Sequence, residues 1–244
     1  MADDSRIEKR KKERQSGEGE NSEFWSYVTL IGIAGIIVVI SYFLFFSGGA
    51  AADVEPWDDV QAIDADDPTM VAAGASEDEI DDMVEVVYYG DFECPACVQF
   101  ERDVFPTMKD DYIATGDVKF VFKPVDFIGT SDSANAALGA RSVWDQNQTA
   151  YWQWHRIMFA NFEQRGNWAS PSNIGDFATQ AGADGNSIAQ SVEQAEHAAD
   201  IQRHRSEAQS AGVQGTPSFV IEDTLVTGGD YAEISSEIDA NLEG

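Results

Sequence analysis

Residues 84–100 read "VEVVYYGDFECPACVQF" and carry both cysteines of a 244-residue chain. The first seven, "VEVVYYG", are β-branched and aromatic, the composition of a buried strand. Pro95 suits the first position of a helix, where a missing N–H costs nothing. The stretch therefore predicts strand, turn and helix, with Cys94 at the junction and Cys97 three residues on, along the same helical face. Unbonded N–H groups and the helix dipole favour negative charge at that end, so Cys94 is expected to ionise more easily than a free thiol. The thiolate is the reactive form; one sulfur of such a pair attacks and the other resolves the mixed disulfide.

Spacing alone leaves other uses of the pair open. A structural zinc site takes four ligands, of which two cysteines supply half. His155, His197 and His204 lack the usual Cys/His spacing. A purely structural bond across so short a loop would constrain little chain entropy. A CxxC beside a strand–helix junction is a redox signal of moderate specificity.

Outward from this centre, "VKFVFKPV" (118–125) reads as a second strand, and Pro106 is expected to kink or break the helix between the two. Residues 131–210 turn helical, with Ser170-Pro171 marking one helix start inside the block. "PSFVIED" (217–223) and "TLVTG" (224–228) pair as a hairpin, and Asp230 with Glu233 has the spacing of a capping box before a last helix. The order is α/β with a helical insertion.

The amino-terminal third has another character. Residues 24–46, "FWSYVTLIGIAGIIVVISYFLFF", contain no charge, and about 20 apolar residues span a bilayer. Arg6, Lys9, Arg10, Lys11, Lys12 and Arg14 precede the run, and no Lys or Arg follows it until Arg102. That asymmetry places the amino terminus in the cytoplasm and the remainder outside. A cleavable signal peptide, with Ala50-Ala51-Ala52 as its cleavage site, is the competing reading. Residues 1–23 read as a disordered cytoplasmic segment, and 47–82 as an acidic extracytoplasmic stalk in which Trp57 and Ile63 can dock locally. Formal charge is −29, from 44 acidic against 15 basic residues. Such a surface repels phosphate and speaks against a nucleic-acid partner. Its even spread fits a halophile, where salt screens the self-repulsion; an ordinary acidic protein is the plainer alternative.

The run "VVYYGDFECPACVQFERDVFPTMKDDYIATGDVKFVFKPVDF" (86–127), the aromatic "YWQWHRIMFANF" (151–162) and "AGVQGTPSFVIED" (211–223) together resemble the DsbA-like thioredoxin-fold oxidoreductases. The resemblance covers about residues 83–242 and rests on CPAC combined with a distal Gly-Thr-Pro before a strand. It implies Cys94 as the surface nucleophile, Cys97 as its resolving partner, and Pro217, preceded by Thr216, as a cis-proline beside the redox disulfide. Two departures stand out. Many relatives carry an acid six residues before the first cysteine, where it relays the proton of the buried thiol; Tyr88 stands there. Strongly oxidising relatives carry histidine between the cysteines, where this chain has Pro95-Ala96, with Asp91 and Glu93 adding negative charge. A less oxidising centre than the strongest relatives is expected.

The expectation is thus a thioredoxin-like domain (83–244) with a helical insertion at about 131–210, preceded by one transmembrane helix. Its function would be that of a membrane-anchored extracytoplasmic thiol–disulfide oxidoreductase exchanging disulfides with protein substrates, in a direction left open. It would need no bound cofactor or metal and would be recycled by a membrane redox partner. A redox-silent thioredoxin-fold chaperone or assembly module is the alternative. Tyr151, Trp152, Trp154, Phe159 and Phe162 line either a substrate groove or core. His155 reads as a structural histidine, Arg203-His204-Arg205 as a solvated helix face, and Asn147-Gln148-Thr149 as a glycosylation sequon.

Overall fold

A computed structural model describes residues 54–162 and 167–243. The readings of residues 1–53, including the spanning run 24–46, lie outside the described residues. Among the described residues no helix is long and apolar enough to cross a membrane.

Six strands form one sheet in the order β1-β2-β4-β3-β5-β6. They are β1 (Val60–Ala62), β2 (Thr69–Ala72), β3 (Val84–Gly90), β4 (Val118–Pro124), β5 (Ser218–Ile221) and β6 (Thr224–Thr227). Helix α1 (Glu77–Asp81) follows β2, and α2 (Pro95–Gln99) and α3 (Phe105–Met108) follow β3. The insertion after β4 holds α4 (Ser131–Gln146), α5 (Gln148–Ala160), α6 (Pro171–Gln180), α7 (Gly185–Gln194) and α8 (Ala198–Ser210); α9 (Tyr231–Leu242) closes the fold. The central strands β3 and β4 run parallel, from Val84 opposite Val118 to Gly90 opposite Pro124. Helices cover a parallel pair on both faces, which is why these two strands read as near-continuous apolar runs. The remaining pairings, β1–β2, β2–β4, β3–β5 and β5–β6, are antiparallel.

Two expectations are corrected. Pro106 does not break the helix after β3. The run continues through π-helical turns at Phe100–Val104 and Lys109–Ile113 on either side of α3. A wider turn accommodates a residue that cannot donate its N–H and whose ring crowds the preceding turn.

The second correction concerns the stalk. Within residues 54–82, β1 and β2 extend the sheet, with Thr69 opposite Val121 and Met70 opposite Phe120. Met70 and Val71 are wholly buried, and Trp57 packs edge-on to Phe105 with ring centroids 5.7 Å apart. The indoles of Trp144 and Trp152 donate to the Ala65 and Thr69 carbonyls. The carboxylates that made this segment look self-repelling face the domain's few cations. Asp59 pairs with Lys109. Asp67 accepts from Arg203 at 2.9 Å and His204 at 2.8 Å, with Lys123 at 3.4 Å. His204 is therefore wholly buried rather than on a solvated face; its other ring nitrogen bonds the Pro124 carbonyl at 3.0 Å.

The aromatic stripe of α5 is core, with Tyr151, Trp152, Trp154 and Phe159 buried between the insertion and the sheet. Asn147 caps α5 by accepting the Ala150 N–H. Burial pushes the Asp67 carboxyl up, but hydrogen bonds from His204 and Arg203 and the charges of His204 and Lys123 outweigh it and hold it well below the usual carboxylate range. A depressed carboxyl contributes stability above its unfolded pKa that is lost as pH falls toward the folded one. We expect Asp67→Asn to cost about 1–3 kcal/mol at neutral pH, because it deprives the buried His204 of its carboxylate, while Lys123 and Arg203 keep Glu207. Denaturant titrations at fixed salt should show this cost shrinking as pH drops below about 4. Equal stability of the two proteins at pH 7 would contradict the assignment.

Candidate active site

The register of β3 and β5 builds the site. Tyr89 lies opposite Ser218 in an antiparallel pair, so the chain leaving β3 emerges beside the chain entering β5. The first carries Cys94 and Cys97; the second carries Gly215, Thr216 and Pro217. Cys94 is the N-cap of α2, with extended backbone (φ −75°, ψ 117°) and Pro95 inside the first turn. Its N–H bonds the Asp91 carbonyl at 3.0 Å, and its carbonyl accepts the Val98 N–H at 3.0 Å. In its protonated form the Cys94 thiol donates to the Thr216 carbonyl over 3.2 Å. The Thr216–Pro217 peptide bond is cis, and the Ser218 hydroxyl ties the turn by donating to the Gly215 carbonyl at 2.8 Å. Both sulfurs are free thiols, Cys94 at 7% exposure and Cys97 at 0%. All four residues expected at the site are thus brought together.

The two thiols differ sharply in acidity. A hydrogen bond from Cys97 lowers the Cys94 pKa most. Burial opposes it, and the Thr216 side chain with the Cys97 and Ala96 backbone N–H groups adds to the lowering, leaving Cys94 at about 5. Cys97 is pushed well above an ordinary thiol, first by burial and then by its hydrogen bond to Cys94 and that neighbour's charge. At neutral pH the outer sulfur is a thiolate and the inner one a thiol. A value of about 5 lies between about 3.5 for a strongly oxidising CxxC centre and about 7 for thioredoxin.

Neither nearby acid bonds the inner thiol through its side chain. Asp91, buried, accepts from the Glu93 N–H (2.9 Å), the Ile128 N–H (2.9 Å) and the Ser133 hydroxyl (2.8 Å). It pins the loop after β4 and the start of α4 to the active-site turn, and burial raises its carboxyl. Glu93 accepts from the Thr130 hydroxyl. Sequence reasoning missed this clasp, and it missed Glu101. That carboxylate lies four residues beyond Cys97 and meets Nε2 of the buried His155 at 3.0 Å. The available signal was the i to i+4 spacing from the second cysteine.

A thioredoxin-like sheet presenting CxxC at a helix amino terminus, against a cis-proline turn, defines a thiol–disulfide oxidoreductase. Comparison with known proteins agrees. The family described as Thioredoxin matches residues 79–240, and the chain belongs to it. Disulfide bond formation protein D of Bacillus subtilis is 31% identical over 166 residues, covering 66% of this chain and 73% of the relative. The crystal structure of oxidised BdbD from Bacillus subtilis superposes with a TM-score of 0.66 at 28% identity, over 75% of this chain and 97% of that one. DsbA of Chlamydia trachomatis, at 20% identity, shares the fold with a TM-score of 0.61 over 78% of this chain and 98% of its own.

An absorbance titration of the reduced protein at the thiolate band should show Cys94 ionising near pH 5. Cys97→Ala should move that midpoint upward by more than Thr216→Val does, because the Cys97 hydrogen bond is the larger cause. The sign for stability follows from a depressed thiol. The contribution to the reduced protein is fully present above the ordinary thiol range and is lost as pH falls toward about 5. The gap in stability between reduced and oxidised protein should therefore move against the reduced form from pH 8 to pH 5, and a flat gap would contradict the assignment.

Proposed function

We propose that the chain is a membrane-anchored, extracytoplasmic oxidase of protein dithiols, recycled by a redox partner in the membrane. The observation that carries the catalytic part is the Cys94 sulfur, 3.2 Å from the Thr216 carbonyl, with the buried Cys97 one turn behind it. In the oxidised enzyme a substrate thiolate attacks the Cys94 sulfur. A substrate–Cys94 bond forms, the Cys94–Cys97 bond breaks, and Cys97 departs with the electron pair and takes up a proton. A second substrate thiolate then attacks the substrate's own sulfur in the mixed disulfide, and Cys94 leaves as a thiolate. The substrate gains a disulfide and the enzyme pair gains two electrons, which the recycling partner must remove. The low pKa of Cys94, about 5, favours this direction, because stabilising the reduced enzyme strengthens its disulfide as an oxidant.

The turn at Thr216 and Pro217 offers backbone groups beside the sulfur, where an extended substrate segment can pair as an added strand. Ile128, 46% exposed on the loop that Asp91 clasps, adds an apolar contact of the kind an unfolded chain meets. The uncharged run at 24–46, with six cations before it and none until Arg102 after it, supports the anchor and its orientation. The charge of −29 supports work in high salt.

Cells carrying the full chain should retain it in membranes after alkaline washing, and an impermeant thiol reagent should label reduced Cys94 from outside. Cys94→Ser should lose oxidation of a dithiol peptide to background, while Cys97→Ser should accumulate a mixed disulfide through Cys94. A soluble, unlabelled protein would sink the anchoring. Retained peptide oxidation in Cys94→Ser would sink the enzymatic role.

A further inference from the structure

The turn that delivers Cys94 is shaped by a side chain that the exchange itself does not use. Asp91 is wholly buried. A carboxylate so placed persists only where donors take up both oxygens, and here the donors divide by purpose. Oδ1 accepts the Glu93 N–H at 2.9 Å, while the Asp91 carbonyl accepts the Cys94 N–H at 3.0 Å. These two bonds close residues 91–94 into a turn of the kind aspartate makes with its own backbone two residues on, and the nucleophile stands at its far end. Oδ2 accepts the Ile128 N–H at 2.9 Å and the Ser133 hydroxyl at 2.8 Å.

Those last two donors belong to a second segment, the chain between β4 and the first turn of α4. There the Gly129 N–H bonds the Asp126 carbonyl at 3.2 Å, with Phe127 and Ile128 between them. Gly129 takes φ +76°, which glycine adopts without steric cost. Phe127 packs against the cluster that holds Tyr89 and Val125, whereas Ile128 stays half-exposed. The space beside it is open, since a Cβ at Gly129 would meet no atom within 4 Å. Besides Asp91, three ties fix this tight turn: the Val125 N–H to the Gly90 carbonyl at 3.0 Å, Arg205 to Asp126, and the Thr130 hydroxyl to Glu93. Ile128 therefore stands two hydrogen bonds from the nucleophile, one to the Asp91 carboxylate and one from the Asp91 carbonyl to the Cys94 N–H.

We propose that Asp91 is a positioning residue of the exchange. One carboxylate oxygen shapes the turn that aims the Cys94 sulfur at the Thr216 carbonyl, and the other holds Ile128 as the docking contact for an apolar substrate residue beside the reacting cysteine. The preferred substrate is thus an extended segment in which a leucine-sized side chain neighbours the cysteine. Backbone pairing at Thr216 gives such a segment affinity without reading its sequence; the side-chain contact at Ile128 reads it. Because both oxygens belong to one planar carboxylate, the aim of the nucleophile and the place of the contact are set together.

Substitutions divide the two tasks by reach. Asp91→Ser can still accept the Glu93 N–H, as serine does in such turns, but its single oxygen cannot also serve Ile128 and Ser133. Asp91→Ala accepts neither set. Asp91→Asn keeps one accepting oxygen and must abandon one set or the other. The inference rests on disulfide exchange at Cys94 and is independent of membrane anchoring and of the direction of exchange.

The test uses the full chain in detergent and high salt with two dithiol peptides that differ only beside the reacting cysteine, leucine in one and serine in the other. Wild type should oxidise the leucine peptide with a kcat/KM about tenfold higher, the low end for one apolar contact, and the difference should lie in KM. Ile128→Ser should abolish that preference and leave the Cys94 titration midpoint in place. Asp91→Ser should do the same, because it keeps the turn. Asp91→Ala should lose the preference and also raise the midpoint. If Asp91→Ala does not fold, Asp91→Asn takes its place and must lose at least one of the two readouts. A wild type with no preference overturns the proposal. So does an Asp91→Ala protein that keeps both preference and midpoint and is merely less stable, since that is a structural role alone. If the wild type only reduces the peptides' disulfide forms, the oxidase direction falls, and the same preference read on those forms decides the positioning role.

Discussion

Two backbone segments meet where β3 ends and β5 begins, and the chemistry of the molecule depends on that meeting. The pairing of Tyr89 with Ser218 delivers the helix amino terminus at Cys94 to the turn at Thr216, closing the 3.2 Å contact between sulfur and carbonyl. Slip that register by one residue and every side chain of β5 changes face, taking Phe219 off the Tyr88 ring. The donors around Cys94 then act on an outer sulfur that nothing else would make acidic. Hydrogen bonds are the largest causes of its lowering, and burial opposes it. Directed hydrogen bonds from Cys97, Thr216 and two backbone N–H groups hold the thiolate in an otherwise acidic protein.

The same register also shapes what lies below. The aromatic group around Tyr88, with Phe100, Phe120, Phe122 and Phe219, fills the space between α2 and the sheet. It leaves little room for water beside Cys97, which keeps the inner thiol protonated. A dry inner sulfur next to a donor-rich outer one divides the roles of nucleophile and resolver.

Legibility in the sequence followed the range of the interactions. The strand–CxxC–helix unit was readable because its signals are local: a β-branched run, a turn, and a proline at a helix start. β4, the β5–β6 hairpin and the helical block were readable from composition and caps for the same reason. The fold beyond those elements was less so. β1 and β2 are three and four residues long, and the acids around them suggest repulsion until His204, 137 residues away, is brought to Asp67. The Glu101–His155 pair joins residues 54 apart, and neither residue looks unusual where it stands in the chain. Tyr88 was visible as a departure from a family pattern, but not the rings of Phe100, Phe122 and Phe219 that enclose it. The resemblance placed Thr216 and Pro217 beside the cysteines; no local feature of Gly215-Thr216-Pro217 would have done so.

The central claim is that fixed donors around Cys94 make the Cys94–Cys97 disulfide a moderately strong oxidant. The reduction potential of the full chain, equilibrated against glutathione in high salt, tests it most directly. A Cys94 ionising near 5 predicts a potential of about −200 mV, between about −120 mV for the strongest oxidant of this kind and about −270 mV for thioredoxin. A value at or below about −270 mV would mean that the donors do not stabilise the reduced enzyme, and the account of the site would be wrong.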